Sequence, residues 1–125
     1  MAKLEFKADD KRLLLSVDTD GIKWCTLFIE SDKKVVRLGS EMYEILKDKF
    51  SVLQAAAEQK TIVYDGVSIF PIMNLSEPHA SLAGSPIIDG VELYLLDINN
   101  KFYPVMKLNN SDIDGLKTTL ENFNP

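Results

Sequence analysis

A chain of 125 residues, 46% of them hydrophobic and 26% charged, is long enough to bury one core and has ordinary globular composition. No stretch approaches the roughly 18 consecutive apolar residues of a membrane span, and the charged N-terminus lacks the apolar core of a signal peptide. We therefore expect a cytoplasmic protein of one domain. Its single cysteine excludes an internal disulfide bond.

The net charge of −5 is unevenly distributed along the chain. Residues 1–60 carry 11 Lys or Arg and 11 Asp or Glu, whereas residues 61–125 carry 3 and 8. This distribution argues against a protein that binds nucleic acid with its whole surface, because such binding needs cations that displace phosphate counterions. A local basic face in the first half remains compatible with the sequence.

Four strands are predicted before the first helix. Leu4 and Phe6 alternate with polar residues, which is typical of a half-buried strand. Asp20-Gly21 predicts a type I′ hairpin turn, since both central residues of that turn need positive φ. The strands are expected at residues 3–7, 11–18, 22–30 and 33–38.

A long amphipathic helix is predicted from Ser40 to about Gln59. The hydroxyl of Ser40 is suited to cap the first turn, where Glu41 and Glu44 also favour the helix dipole. Apolar residues at spacings of three and four form one stripe for packing on a sheet. They are Met42, Ile45, Leu46, Phe50, Leu53 and Ala57.

The second half begins with β signals on either side of Asp65-Gly66, which predict either a tight hairpin or one bent strand. Pro71 predicts an edge strand, because proline cannot donate to a ladder. Residues 75–86 contain two prolines and three serines and predict one long loop. Strand signals resume at Ile87.

The chain is predicted to end in two strands and a short helix. Turns are expected at Asp89-Gly90 and Asn99-Asn100. Ser111 and Asp114 fit a capping box at the start of the helix. Its apolar stripe is Ile113, Leu116, Leu120 and Phe123.

The two halves can be superposed on each other at an offset of about 70 residues. Asp20-Gly21 then falls near Asp89-Gly90, and Leu38 falls on Leu108, with a helix following in each half. We therefore predict an α+β fold of two antiparallel β-rich repeats, 1–60 and 61–125. Each repeat has about four strands and ends in a helix, and a pseudo-twofold axis relates the two.

The stretch VVRLGSEMYEILKDKF, residues 35–50, resembles the strand-turn-helix pattern of the Whirly and PC4-like fold, which binds single-stranded nucleic acid. The resemblance covers about 25 residues and implies binding along concave sheets by basic and aromatic side chains. The side chains that it implicates are Lys11, Arg12, Lys23, Trp24, Lys33, Lys34 and Arg37. The family's basic stretches are denser than these.

Core packing is the usual role of aromatic residues in strands, and stacking on bases requires some of them to face solvent. The strand aromatics of this chain are Trp24, Phe28, Tyr94, Phe102 and Tyr103.

No motif for catalysis, metal binding or a cofactor is present in the sequence. His79 lacks the clustered partners of a zinc site and is expected to be a solvated loop residue. Cys25 lies in an apolar strand and is expected to be a small buried hydrophobe. We therefore expect a binding module rather than an enzyme, one that binds single-stranded nucleic acid or is associated with transcription. Unpaired strand edges could also join two chains into a homodimer.

Two other functions stay open. An acidic interaction module, of the inhibitor or immunity type, would present Asp89, Glu92 and Asp97 to a basic protein partner. A small-molecule site would lie near the predicted loop 75–86, since long loops often carry function.

Overall fold

The computed structural model describes residues 1–58, 61–76, 79–99 and 101–124 and has an α+β fold built on two antiparallel sheets. Sheet A contains, in spatial order, β1 (Ala2–Ala8), β2 (Lys11–Val17), β3 (Trp24–Ser31) and β4 (Lys34–Met42). Sheet B contains, in spatial order, β5 (Ile62–Tyr64), β6 (Val67–Leu75), β7 (Ala80–Ile87), β8 (Gly90–Asp97) and β9 (Phe102–Asn109). The helices are α1 (Tyr43–Ser51), α2 (Leu53–Ala57) and α3 (Asn110–Asn122).

Tight turns rich in aspartate connect several of the paired strands. Asp9 and Asp10 have φ values of 54° and 56°, as a two-residue hairpin turn of type I′ requires. Asp65 and Gly66 have φ values of 51° and 79° and connect β5 to β6. The hairpin predicted at Asp65-Gly66 is therefore confirmed.

The tight hairpin predicted at Asp20-Gly21 is wrong. Strand β2 ends at Val17 and β3 begins at Trp24, so residues 18–23 form a longer connection. Gly21 has a φ of 63°, but the hydrogen bond that closes the connection lies outside this pair, where the Asp18 N–H donates to the Trp24 carbonyl at 2.8 Å.

The turn between β7 and β8 lies one residue earlier than the predicted Asp89-Gly90, because Ile87 pairs with Gly90.

Ser40 lies in β4 and does not cap a helix, so the cap predicted there is wrong. Its N–H and carbonyl both exchange hydrogen bonds with Ser76, at 2.8 and 2.9 Å, which joins sheet A to sheet B. A side chain at Gly39 would place Cβ 2.6 Å from Leu75 Cβ, and its φ is 149°. Only glycine allows the two sheets to approach this closely at that point.

The first helical segment is shorter than predicted and is broken. Helix α1 begins after Met42, and α2 begins after Val52, whose φ and ψ are −109° and 18°. The predicted end at Gln59 lies outside the described residues. The buried stripe is nevertheless confirmed at Leu46 and Phe50.

Helix α3 confirms the predicted apolar stripe but begins two residues early. Asn109 and Asp112 form the capping box, with hydrogen bonds of 2.8 and 3.0 Å, so the box predicted at Ser111 and Asp114 is wrong. Gly115 faces β1, where an added Cβ would lie 3.4 Å from the Phe6 ring. That distance is an ordinary van der Waals contact, so the packing against Phe6 does not by itself require a glycine in this helix.

The predicted loop 75–86 is strand for most of its length, because β7 spans Ala80–Ile87. Residues 77 and 78 of that loop, like Asn100 of a predicted turn, lie outside the described residues. Gly84 is needed in β7 because an added Cβ would overlap the ring of Phe70. Pro71 lies at a bulge of β6, and β6 is an interior strand of sheet B. Because β5 pairs only with residues 67–69, Pro71 has a ladder partner on the β7 side alone, which agrees with the predicted edge position at this point of the strand.

One hydrophobic cluster joins both sheets and all three helices. Helices α1 and α3 each contact strands of both sheets. The Tyr43 hydroxyl donates to the Leu120 carbonyl at 2.5 Å, and the Tyr43 ring meets Phe123 edge-on. A second link between the sheets runs from the Lys107 N–H to Asp9 Oδ2, at 2.8 Å. Among the described residues, no helix has the length and apolarity to cross a membrane.

Candidate nucleic-acid interface

The outer face of sheet A is the side of the sheet that points away from the helices. Leu13, Leu15 and Val17 of β2 are buried in the core. Because side chains alternate along a strand, Arg12, Leu14 and Ser16 lie on the outer face. The register extends this face to Glu5 of β1 and to Phe28 and Glu30 of β3.

Two aromatic residues lie on this outer face. Trp24 begins β3 and is 40% exposed, and Phe28 is half-buried four residues further along the same strand. Core packing is the usual role of strand aromatics, but these two side chains are on the solvent side, which base stacking requires. Cys25 and Leu27 occupy the core side of the same strand and are fully buried.

Arg37 lies directly opposite Phe28 in the β3–β4 register. Its Nη2 donates to Ser40 Oγ at 3.1 Å, and Ser40 Oγ is 3.0 Å from Thr26 Oγ1. Within the part of the chain that the structure describes, no carboxylate lies within ion-pair distance of Arg37. A cation therefore lies between the two aromatic residues of β3 and keeps its charge available.

Arg12 is also on the outer face but is paired with two carboxylates. Its Nη1 is 3.2 Å from Glu5 Oε1, and its Nε is 3.7 Å from Glu30 Oε1. These pairs connect β1, β2 and β3 across the sheet. The two predicted arginines thus share a face but differ in electrostatics, because only Arg12 is neutralised by its neighbours.

A groove of about 550 Å³ runs along the outer face next to Phe28. Its apolar wall includes Leu14, Phe28 and Val35, and Val35 is 53% exposed. Its other lining residues include Met1, Lys3, Leu4, Glu5, Leu15 and Ser16. The volume falls in the range of about 300–1,000 Å³ that is common for small-ligand sites.

The other predicted cations lie at the two ends of sheet A. Lys11 follows the first hairpin turn and is 3.7 Å from Asp9 Oδ2. Lys33 and Lys34 lie at the β3–β4 turn, at the same end of the sheet, because β1 and β3 run in the same direction. Lys23 precedes Trp24 at the opposite end. The structure therefore brings together Arg12, Trp24 and Arg37 on one face and separates the four lysines from its centre.

The three predicted acidic residues do not form one patch. Asp89 lies at one end of β8 and Asp97 at the other. Asp97 Oδ1 accepts hydrogen bonds from the N–H groups of Asn99 and Lys101, both at 2.9 Å. Glu92 accepts a hydrogen bond of 2.9 Å from the Tyr94 hydroxyl. Two of the three carboxylates therefore have structural partners within the chain.

The outer face of sheet B carries an aromatic stack that the sequence did not predict. Tyr94 and Phe102 are stacked with their ring centres 4.4 Å apart, and Tyr64 of the β5–β6 hairpin lies 5.5 Å from Phe102. Burial and the bond to Glu92 raise the pKa of the Tyr94 hydroxyl. The spacing of these residues in the sequence gives no signal, because three separate strands contribute the rings.

A second groove, of about 530 Å³, lies where β6 runs beyond the end of β5. Ile62, Ile69 and Pro71 line it together with Ser81 of β7 and Glu41 of β4. Part of the segment in which a small-molecule site was expected therefore borders this groove. Its polar groups are a single carboxylate and a few amide, hydroxyl and ammonium groups.

Nucleophilic and metal-binding groups are few. Cys25 is fully buried, and burial raises the pKa of its thiol from 9.0 to about 12, so the thiol stays protonated at neutral pH. His79 is exposed just before β7. Across residues 1–58, 61–76, 79–99 and 101–124, no three His, Cys, Asp or Glu side chains are grouped so that they could hold a metal ion.

Comparisons with known protein families, with curated proteins and with solved structures found no match to this chain.

Proposed function

We propose that this protein binds single-stranded nucleic acid on the outer face of sheet A. The observation that carries the proposal is the arrangement of Trp24 and Phe28 on one face of β3, with the unneutralised Arg37 between them. Bases stack on exposed aromatic rings with little regard to sequence, and nearby cations attract the phosphates. The resemblance of residues 35–50 to the Whirly and PC4-like pattern supports the same proposal.

The site is short and lies along the β3–β4 pair. Glu5 of β1 and Glu30 of β3 repel phosphate, so the phosphates of a bound strand would stay near Arg37 on the β4 side of the face, and only uncharged bases would approach these carboxylates. Trp24 and Phe28 are four residues apart, which places their rings about 13 Å from each other along the strand. This spacing suits a few unstacked nucleotides rather than a long wrapped strand.

The proposal is tested by titrating the protein into a short labelled single-stranded oligonucleotide while following its fluorescence anisotropy. The emission of Trp24, which is the single tryptophan of the chain, is measured in parallel. We expect saturable binding, quenching of Trp24, and an affinity that falls with salt. A duplex of the same sequence should bind more weakly, because its bases cannot stack on the rings. Flat anisotropy at low salt with any single-stranded sequence would contradict the proposal.

An acidic interaction module remains the second candidate. Residues 61–125 carry 8 Asp or Glu against 3 Lys or Arg, which favours a basic protein partner. The separation of Asp89 from Asp97 and the hydrogen bonds at Asp97 weaken this candidate. Pull-down of a defined basic protein at low salt, in the absence of any oligonucleotide binding, would favour it.

We further propose that the chain arose by an internal duplication. The order of elements supports this origin, because an antiparallel sheet is followed by a helical segment in each half. The additional strand β5 and the break at Val52 are differences between the halves. These differences would have been acquired after the duplication.

A further inference from the structure

We infer that the groove on the outer face of sheet A selects bases that carry an exocyclic amino group, such as cytosine, over thymine or uracil. This inference rests on the proposed binding of single strands and adds a specificity to it. The groove adjoins Phe28 directly, so a nucleotide next to one stacked at this ring can place its base in the groove. The inference concerns which base is accepted there.

The groove combines an apolar wall with a carboxylate at its rim. Leu14, Phe28 and Val35 offer apolar surface to the flat face of a base. Glu5 lines the same groove together with Lys3 and Ser16, and the Ser16 hydroxyl donates to Met1 Sδ at 2.6 Å. An apolar cleft with a few polar groups is the usual form of a site that orients one ligand.

The position of the Glu5 carboxylate is fixed by Arg12. The 3.2 Å contact between Arg12 Nη1 and Glu5 Oε1 holds one carboxylate oxygen, and Arg12 is itself held by Glu30 from the other side. An ion pair that spans three neighbouring strands restricts the rotamers of its members. The ion pairs of Glu5 with Arg12 and, at 4.0 Å, with Lys7 both involve Oε1, so Oε2 is the oxygen that we assign as acceptor for a base in the groove that Glu5 lines.

An ionised carboxylate accepts hydrogen bonds and cannot donate them. Cytosine and adenine present amino donors to such a group, and Glu or Asp commonly accepts from the amino group of cytosine. Thymine and uracil present a carbonyl oxygen at the equivalent position, so two acceptors would face each other. Discrimination therefore comes from repulsion of the wrong base as well as attraction of the right one.

The test compares labelled oligodeoxycytidylate with oligodeoxythymidylate of equal length by fluorescence anisotropy. Wild-type protein should bind the cytidylate roughly tenfold more tightly, the size expected for one good base contact. Glu5→Gln should reduce this ratio to less than about threefold, because an amide can donate to the thymine carbonyl. Filling the groove with Val35→Trp, at an exposed position, should also reduce the ratio.

Glu30→Gln is the matched control. It removes the same charge and the other partner of Arg12, but Glu30 does not line the groove. It should preserve the preference for cytosine, because the shorter 3.2 Å contact between Arg12 and Glu5 remains, while strengthening the binding of both oligonucleotides. Thermal melting of all three variants establishes that they are folded before the ratios are compared.

The outcomes separate the two proposals. Equal affinity of wild-type protein for the two oligonucleotides overturns the inferred base selection and leaves single-strand binding in place. Equal loss of the ratio in Glu5→Gln and Glu30→Gln also overturns it, because the effect would then follow charge rather than the groove. Failure to bind either oligonucleotide overturns the proposed function itself.

Discussion

The outer faces of the two sheets both carry aromatic residues, but they use them differently. On sheet A, Trp24 and Phe28 lie on an open surface beside Arg37. On sheet B, Phe102 is stacked on one tyrosine and touched by another. A ring that packs within the chain has its face occupied, whereas an open ring can stack on a ligand. Aromatic content alone therefore does not locate a binding face.

The largest expected difference between the sheets is in affinity for a single strand. Trp24 and Tyr103 form a matched pair, since they are 40% and 44% exposed and lie on sheets A and B. Trp24→Ala should weaken binding roughly tenfold to a hundredfold, because stacking contributes about 1–3 kcal/mol per base. Tyr103→Ala should change affinity less than about twofold.

Both variants are measured by anisotropy of the labelled oligonucleotide, which does not depend on tryptophan emission. A loss of affinity in Tyr103→Ala equal to that in Trp24→Ala would remove the distinction between the two sheets.

The second difference is in stability. Phe102→Ala breaks the stack with Tyr94 and the contact with Tyr64, and it should lower the free energy of unfolding by about 1–3 kcal/mol. Denaturant unfolding measures this change. Oligonucleotide affinity, measured on the same preparation below the transition, should stay within about twofold of wild type. Unchanged stability would show that the stack does not hold the β5–β6 hairpin in place.

The third difference lies within sheet A, between its two arginines. Arg37→Gln should weaken binding by up to about tenfold and make the salt dependence shallower by about 0.7 in log–log slope, as expected for one lost phosphate contact. Arg12→Gln should change affinity less than about threefold, because two carboxylates already neutralise Arg12. Equal effects of the two substitutions would show that the ion pairs do not decide which arginine meets phosphate.

The smallest expected effect concerns the core side of sheet A. Burial raises the pKa of Cys25 from 9.0 to about 12, so the folded protein favours the protonated thiol. The contribution of the protonated Cys25 thiol to the free energy of unfolding is fully present below pH 9 and is lost as the pH rises toward 12. Unfolding at about pH 9.5 should therefore show a loss of about 1 kcal/mol relative to neutral pH.

Cys25→Ala should remove that part of the alkaline loss, even if its overall stability is lower. An alkaline loss of the same size in wild type and Cys25→Ala would assign it to other groups, among which Tyr43 also has a raised pKa.

Local patterns in the sequence were sufficient for much of the fold. Alternation located the strands of sheet A to within a few residues, and Asp65-Gly66 marked the tight turn between β5 and β6. The buried stripe of α3 followed from helical spacing alone. These features depend on residues that are neighbours in the sequence.

The features that were missed depend on partners far along the chain. Serine is a residue type that often caps helices, but the pairing of Ser40 with Ser76 keeps it in a strand. The segment around Gly84 is rich in small residues and was predicted to be a loop. It is a strand, and Gly84 is needed in it because an added Cβ would overlap the Phe70 ring. The face of Phe28 could not be read from β3, because apolar side chains occur on both sides of that strand.

The contacts that join the two sheets also bear on the order of folding. Each sheet is built from strands that are neighbours in the sequence, so its ladders form by closing short loops. The contacts between the sheets span much longer separations, 36 residues from Ser40 to Ser76 and 98 from Asp9 to Lys107, and the contact between helices α1 and α3 spans 77 residues from Tyr43 to Leu120. We expect each sheet to acquire its hairpins first and the sheets to dock last, so substitutions at Gly39 should mainly accelerate unfolding.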